Sequence, residues 1–165
     1  MITLAAISNL QMGLVLNRKK AGLNRADKFD YEVVSLKSFN ENAVFDNKFS
    51  EEFISNEQIK EDYQVKQGDI LLRLREPNLA VYIDKKYENL IFSSLMVRVK
   101  IQDNRFDPHF IAHYLNSNTV KKALSTELSG TTIPMINVAN VNEIKIPLIN
   151  LDKQKKIVEY LKLAH

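Results

Sequence analysis

Cysteine and tryptophan are absent from this chain, and its 165 residues include only four glycines and four prolines. Without cysteine there is no disulfide, thiol nucleophile, Cys-ligated zinc or iron–sulfur cluster, and the composition fits a reducing compartment, so the cytoplasm is the expected location. Scarce glycine and proline exclude a collagen-like chain, and with 45% apolar against 26% charged residues the chain is not a disordered tail. Gly13, Gly22, Gly68 and Gly130 cannot assemble a G-x-G-x-x-G or G-x-x-x-x-G-K-[ST] phosphate loop, and no G-x-S-x-G elbow supports a serine hydrolase. Long hydrophobic runs are missing as well. Nothing approaches the ~18 apolar residues of a membrane span, and no basic region precedes the Met1 to Leu16 run, so neither a signal peptide nor an anchor is expected.

What is there suits one domain. A chain of this size buries about 70% of the surface its unfolded form exposes, enough for a core without staples. No repeat, low-complexity tract or linker marks a boundary. The net charge of +3 is unevenly distributed: residues 1 to 25 carry +4, residues 26 to 65 carry −6, and residues 66 to 165 carry +5. Two basic segments flanking an acidic one offer either a one-sided positive face for a polyanion or ordinary solvated charge.

Strand signals dominate the middle of the chain. Tyr31 to Phe39 alternates in part, Asp69 to Arg75 reads as a half-buried strand, and Ser94 to Ile101 places Leu95, Val97, Val99 and Ile101 on one face, with Met96, Arg98 and Lys100 on the other. Leu79 to Ile83 and Asn89 to Ser93 are shorter candidates, with a Glu76-Pro77-Asn78 turn before the first. The period then changes. Asp107-Pro108 is a helix start with Phe110, Ile111, Tyr114 and Leu115 on its apolar face. Asn118 caps a second helix bearing Val120, Leu124 and Leu128, with Gly130 at its end. Ile133 to Ile149 reads as extended chain, and from Leu151 a final amphipathic helix carries Ile157, Leu161 and Ala164 on one side.

Catalytic signals are thin. His109 and His113 share a helix face at the spacing of zinc proteases, but no Glu lies between them and no third ligand accompanies them except His165 or a distant carboxylate. Glu51-Glu52 and Glu61-Asp62 read as solvated surface, and Glu143-Ile144-Lys145 has no paired Pro-Asp upstream to make a nuclease triplet. These patterns argue for binding rather than catalysis.

At the level of whole segments the chain resembles a target recognition domain of the specificity subunit of type I restriction-modification systems. Leu4-Ala5-Ala6-Ile7, then Leu10-Gln11-Met12-Gly13-Leu14 and Arg18-Lys19, look like that family's opening strand, glycine turn and basic segment. Val65-Lys66-Gln67-Gly68-Asp69-Ile70-Leu71 looks like its glycine-aspartate turn feeding a strand, and Asp107 to Leu115 like its short helix. Gly130-Thr131-Thr132-Ile133-Pro134, Val141 to Leu148 and Leu151 to Ile157 are similar to its closing strand and helix start. Ile149-Asn150 stand where the family has prolines, and Lys153-Gln154 replace its Glu-Gln. Family members typically carry two such domains joined by long helices that form an antiparallel coiled coil. This chain has one domain and the first turns of one helix, which fits a half-size subunit pairing with itself, a piece ending at the helix, or a lone recognition domain.

The resemblance implies an α+β fold: a twisted, mostly antiparallel or mixed sheet with short helices over residues 1–150, and a spacer helix beginning at 151–165 in the same compact unit. It also implies a non-catalytic, cofactor-free reader of double-stranded DNA that directs methyltransferase and restriction subunits. The DNA contacts expected are Arg18, Lys19, Lys20 and Arg25 in an irregular segment, and Arg73 and Arg75 projecting together from a strand. Lys85 and Lys86 in a turn, and Thr131 and Thr132 after a glycine, complete the set. Tyr82 and Phe92 read as core, with Tyr87 as a further aromatic near basic residues. Gln154, Ile157 and Leu161 face a partner helix if the last helix extends, making a homodimer possible. Two other readings compete: a protein-interaction module using the acidic 41–62 segment or the last helix, and a small metal-dependent hydrolase or nuclease.

Overall fold

In the computed structural model, residues 1–22, 28–127 and 135–164 are described, with the backbone alone for Thr126 and Glu127. The chain opens with β1 (Ile2–Thr3), one helical turn α1 (Leu4–Ile7) and β2 (Ser8–Met12). The strands β3 (Phe29–Val33), β4 (Glu51–Ser55), β5 (Ile70–Arg73), β6 (Ala80–Tyr82), β7 (Leu90–Ile91) and β8 (Met96–Ile101) follow. Helices α2 (Pro108–Leu115), α3 (Asn118–Glu127) and α4 (Val138–Asn142), then β9 (Lys145–Ile146) and α5 (Leu151–Leu163), complete the chain. The strands form a β1-β9 pair, a four-stranded sheet in the order β2-β8-β5-β6 and a three-stranded sheet in the order β4-β3-β7. Only β3 and β7 pair in parallel among the named strands. This is the expected α+β class.

The four-stranded sheet is buried on both faces. Ile70, Leu72, Val97 and Val99 face a cluster completed by Leu4, Ile111, Leu115, Val141 and Val158 from the helices. Leu71, Val81 and Met96 face a second cluster with Phe92, Val34 and Phe39. A third, containing Tyr31, Val33, Phe53 and Ile91, lies under the three-stranded sheet. With neighbours on both sides and apolar layers above and below, β5 is a central strand rather than a half-buried one.

Local chemistry explains several joints. Gly68 holds φ +93° while Asp69 accepts from the Lys66 amide at 2.8 Å, so the glycine-aspartate pair closes the turn that feeds β5. A Cβ on Gly13 would lie 2.0 Å from the Ser93 carbonyl oxygen, and only glycine permits that approach between β2 and the start of β8. Asp107 accepts from the His109 amide and precedes Pro108, starting α2 as its sequence indicates. Asn116 clasps the outer edge of β6: its Oδ1 accepts from the Ala80 amide at 2.7 Å and its Nδ2 donates to the Ala80 carbonyl at 2.9 Å.

Some elements differ from expectation. Leu4–Ile7 is a helical turn, not an opening strand; the flanking strands pair with different partners, and the turn buries Leu4 and Ile7 while reversing between them. Asn118 is the first residue of α3 instead of its cap, and Ser117 Oγ accepts from the Val120 amide at 3.4 Å. The expected extended run from Ile133 contains α4, begun by a reciprocal cap in which Asn137 and Asn140 each accept from the other's amide. Asn150, at a family proline position, caps α5 by accepting from the Asp152 amide at 2.8 Å.

Candidate nucleic-acid interface

Strand β5 ends at Arg73, and Arg73 and Arg75 place two cations at that end of the four-stranded sheet, on either side of the buried core residue Leu74. The Leu74 carbonyl accepts from Ile136, and Arg75 forms an isolated antiparallel bridge with Met135. Arg73 is half-buried, and one of its terminal guanidinium nitrogens donates to the Leu36 carbonyl at 3.2 Å. That carbonyl opens a 3₁₀ turn, Leu36–Ser38, whose Lys37 is exposed. Burial lowers the pKa of Arg73, and repulsion from Arg75 lowers it further. Arg75 is exposed, and among the described residues neither arginine forms an ion pair with a carboxylate. Two uncompensated cations one residue apart are unfavourable until an anion or strong acceptor faces them.

The expectation that Arg73 and Arg75 project together from an outer face is corrected on one point. β5 has no outer face, so Arg73 is partly enclosed and tethered while Arg75 reaches solvent. In the first basic segment, Leu16–Arg18 is a 3₁₀ turn and Lys20 bridges Ser55 beside β4, so the segment is more ordered than an irregular loop. Arg18 and Lys20 are exposed, while Lys19 is paired with Glu57 and so meets an anion only by giving up that partner. Lys85 and Lys86 are exposed in the turn before β7, and Lys86 lies 3.7 Å from Glu88. Arg25, Thr131 and Thr132 lie outside the described residues.

Arg98 does not join this surface, although its strand pattern pairs it with exposed Lys100. It is 9% exposed, donates to the Asp62 carbonyl at 3.0 Å and lies over the Phe92 ring. Facing it, Asp69 is pushed above the ordinary carboxylate range by burial, an effect that its hydrogen bond from Lys66 and the Arg98 charge oppose. Lys37 went unnoticed in the sequence because its link to Arg73 runs through a backbone carbonyl distant in the chain. No pattern signals such a bond.

The expected partner-helix face is corrected more sharply. Gln154 is fully buried: its Oε1 accepts from the Asp107 amide at 2.8 Å, and its Nε2 donates to the carbonyls of Ile149 at 2.7 Å and Arg105 at 3.0 Å. Val158 sits in the core, and Ile157 packs against it. This face of α5 is spent on α2 and the loop before it. Leu161 is half-buried and, with Val44, His109 and His113, lines a cleft of about 650 Å³. Tyr160 and Leu163, at 71% and 88% exposure, point outward instead.

The histidines form a ring stack. His109 lies 4.6 Å from Tyr82 and 5.2 Å from His113 between centroids, both nearly parallel. Burial lowers the His109 pKa, with Lys162 adding to this. Among the described residues no three His, Cys, Asp or Glu side chains come together to hold a metal ion, and His165 lies outside them. Phe92 is fully buried and Tyr87 meets Phe45 edge-on at 5.4 Å. Among the described residues no helix is long and apolar enough to cross a membrane.

Comparison with known proteins agrees with this geometry. The chain is 35% identical over 103 residues to the specificity subunit of the type I restriction enzyme MjaVIII from Methanocaldococcus jannaschii, a match covering 59% of this chain and 24% of that protein. The crystal structure of the HsdS subunit from Thermoanaerobacter tengcongensis superposes with a TM-score of 0.72 at 14% identity, over 99% of this chain and 41% of that one. The type I S subunit from M. genitalium gives 0.55 at 16% identity, over 99% and 38%. The chain thus spans well under half the length of the relatives it matches, and the solved structures share its fold. A family model described as type I restriction modification DNA specificity domain matches residues 1–163, and the chain belongs to that family.

Proposed function

We propose that this chain reads one half of a bipartite double-stranded DNA target in the cytoplasm and, without chemistry or cofactor of its own, directs methyltransferase and restriction subunits to it. Residues 1–150 serve as the recognition domain and 151–165 as the start of the spacer helix. The observation that carries the reading is the Arg73–Arg75 pair at the end of the central strand, two cations without carboxylate partners among the described residues. Lys37, Arg18, Lys20, Lys85 and Lys86 add exposed positive charge. Arg25, Thr131 and Thr132 complete the proposed set of contacts. Affinity then comes from phosphate neutralisation and selectivity from base edges.

Pairing with a second copy, or with the spacer of a full-length partner, uses the outward Tyr160 and Leu163 edge of α5, because Gln154 and Val158 are already occupied inside the domain. Binding to random-sequence duplex across a salt series tests the DNA reading. Each phosphate contact steepens the fall of log K by about 0.9 per log unit of salt. A measurable slope supports a DNA reader, and a folded protein that binds no duplex at low salt overturns it.

A further inference from the structure

Arg73 and Arg75 lie one residue apart, yet the fold treats them as different kinds of group. Arg73 is half-buried, with one terminal nitrogen bonded to Leu36 and its Nε enclosed without a hydrogen-bond partner among the described residues. Arg75 is held only through its backbone, opposite Met135, and its side chain is in solvent. Fixing a long cationic side chain costs rotamer freedom. Folding has already restricted Arg73, whereas Arg75 bears that cost at the moment of binding.

The two partners offered by a DNA duplex make opposite demands. A phosphate oxygen accepts a charge from many directions, so a mobile cation serves it well. A base edge is discriminated only by donors fixed in place, and the pairing best suited to a guanidinium is the O6 and N7 acceptors of guanine in the major groove. With one terminal nitrogen tethered and Nε enclosed, the half-buried guanidinium has its remaining terminal N–H groups to offer, and the tether limits how they turn. The neighbouring charge of Arg75 raises the cost of leaving that edge without an acceptor.

We propose that Arg73 is the specificity-determining residue of this site, presenting an anchored guanidinium to a guanine edge, and that Arg75 beside it contacts phosphate and sets affinity rather than sequence. This rests on the DNA-reading function above and divides it between two residues.

The test is selection of bound duplexes from a random pool at low salt, using the full chain as wild type, Arg73→Lys and Arg75→Ala. A salt series on unselected duplex and a thermal melt accompany each protein. Wild type is expected to enrich a motif with an invariant G·C pair. Arg73→Lys keeps the charge and the salt slope but discriminates that pair about tenfold less. Arg75→Ala keeps the guanine and loses about 0.9 from the slope. Should Arg73→Lys fail to fold, 7-deazaguanine placed at the selected position removes the N7 acceptor and is expected to weaken wild-type binding. An unchanged motif with Arg73→Lys, a motif altered by Arg75→Ala, or indifference to 7-deazaguanine overturns the division of roles while leaving DNA reading intact. Absence of wild-type binding overturns both.

Discussion

The two larger sheets of this chain rest on apolar clusters of similar kind and carry opposite charge. The centre of the four-stranded sheet is covered on both faces, and its exposed and half-buried cations stand toward strand ends, at Arg73 and Lys100, with Arg75 just beyond β5. On the three-stranded sheet Tyr31, Val33 and Phe53 cover one face, and on the other Asp30, Glu32 and Glu52 are exposed on β3 and β4 while Leu90 of β7 is buried in the second cluster. Glu32 lies directly opposite Glu52 in the β3–β4 register, a like-charge pair that weakens a sheet. The difference teaches how one small domain separates its charge. In the doubly covered sheet a charge away from a strand end is enclosed and bonded, as Arg98 is to the Asp62 carbonyl, and exposed charge stands toward the ends, whereas a half-exposed strand spreads charge along its free face. A face of that sign is repelled by a polyanion.

The comparison is broken most forcefully at the centre of the doubly covered sheet. Leu71→Ala removes a side chain with no exposure from the middle of β5 and is expected to cost about 2–5 kcal/mol in urea denaturation. A cost near zero would mean that β5 is not the buried axis on which the arginine geometry depends. Next in size, replacing Arg73 and Arg75 together by Ala should cost about 1–3 kcal/mol of duplex binding, read by fluorescence anisotropy. Glu52→Gln on the other sheet should leave the salt slope unchanged within error. If the two substitutions affect binding equally, the charge separation does not shape duplex binding.

On the acidic sheet itself, Glu32→Gln is expected to raise stability by about 0.2–1 kcal/mol, because it ends the repulsion across from Glu52. A loss would show that Glu32 is engaged elsewhere. The smallest effect concerns pH and the other side of the molecule. The pKa of His109 is lowered, chiefly by burial, so the folded state holds fewer protons than the unfolded one just below the ordinary histidine value of 6.5. Stability should therefore be full above that value and decline as pH falls from it through the lowered folded value. His109→Gln should flatten this part of the profile of denaturation midpoints. An unchanged profile would mean that the Tyr82–His109–His113 stack does not resist protonation.

Residue by residue, legibility followed the reach of the interactions. The Asp107-Pro108 start of α2 and the Gly68-Asp69 turn were readable because the interactions that make them span two or three residues. The α4 turn was missed although its cap is equally local, since Asn140 stands where the usual capping signal has Glu or Gln. Gln154 read as a partner contact because a polar residue on an amphipathic helix belongs outside. Two of its three bonds run to Arg105 and Asp107, and no periodicity shows that. In the same way Arg73 and Arg75 were singled out by type and spacing, while their difference in anchoring depends on a carbonyl from the turn at Leu36.

The sequence by itself determined strands through the middle of the chain, helices starting at Asp107-Pro108 and from Leu151, and the absence of thiol, phosphate-loop and serine-elbow chemistry. These follow from composition, alternation and short-range hydrogen bonding, which every stretch of chain carries within itself. Tertiary structure alone decided that β5 is central, that α5 spends its polar glutamine on the loop before α2, and that one arginine is held while the next is free. Burial and anchoring are properties of neighbours brought together by folding, and the identity of those neighbours is not written in the segment that receives them.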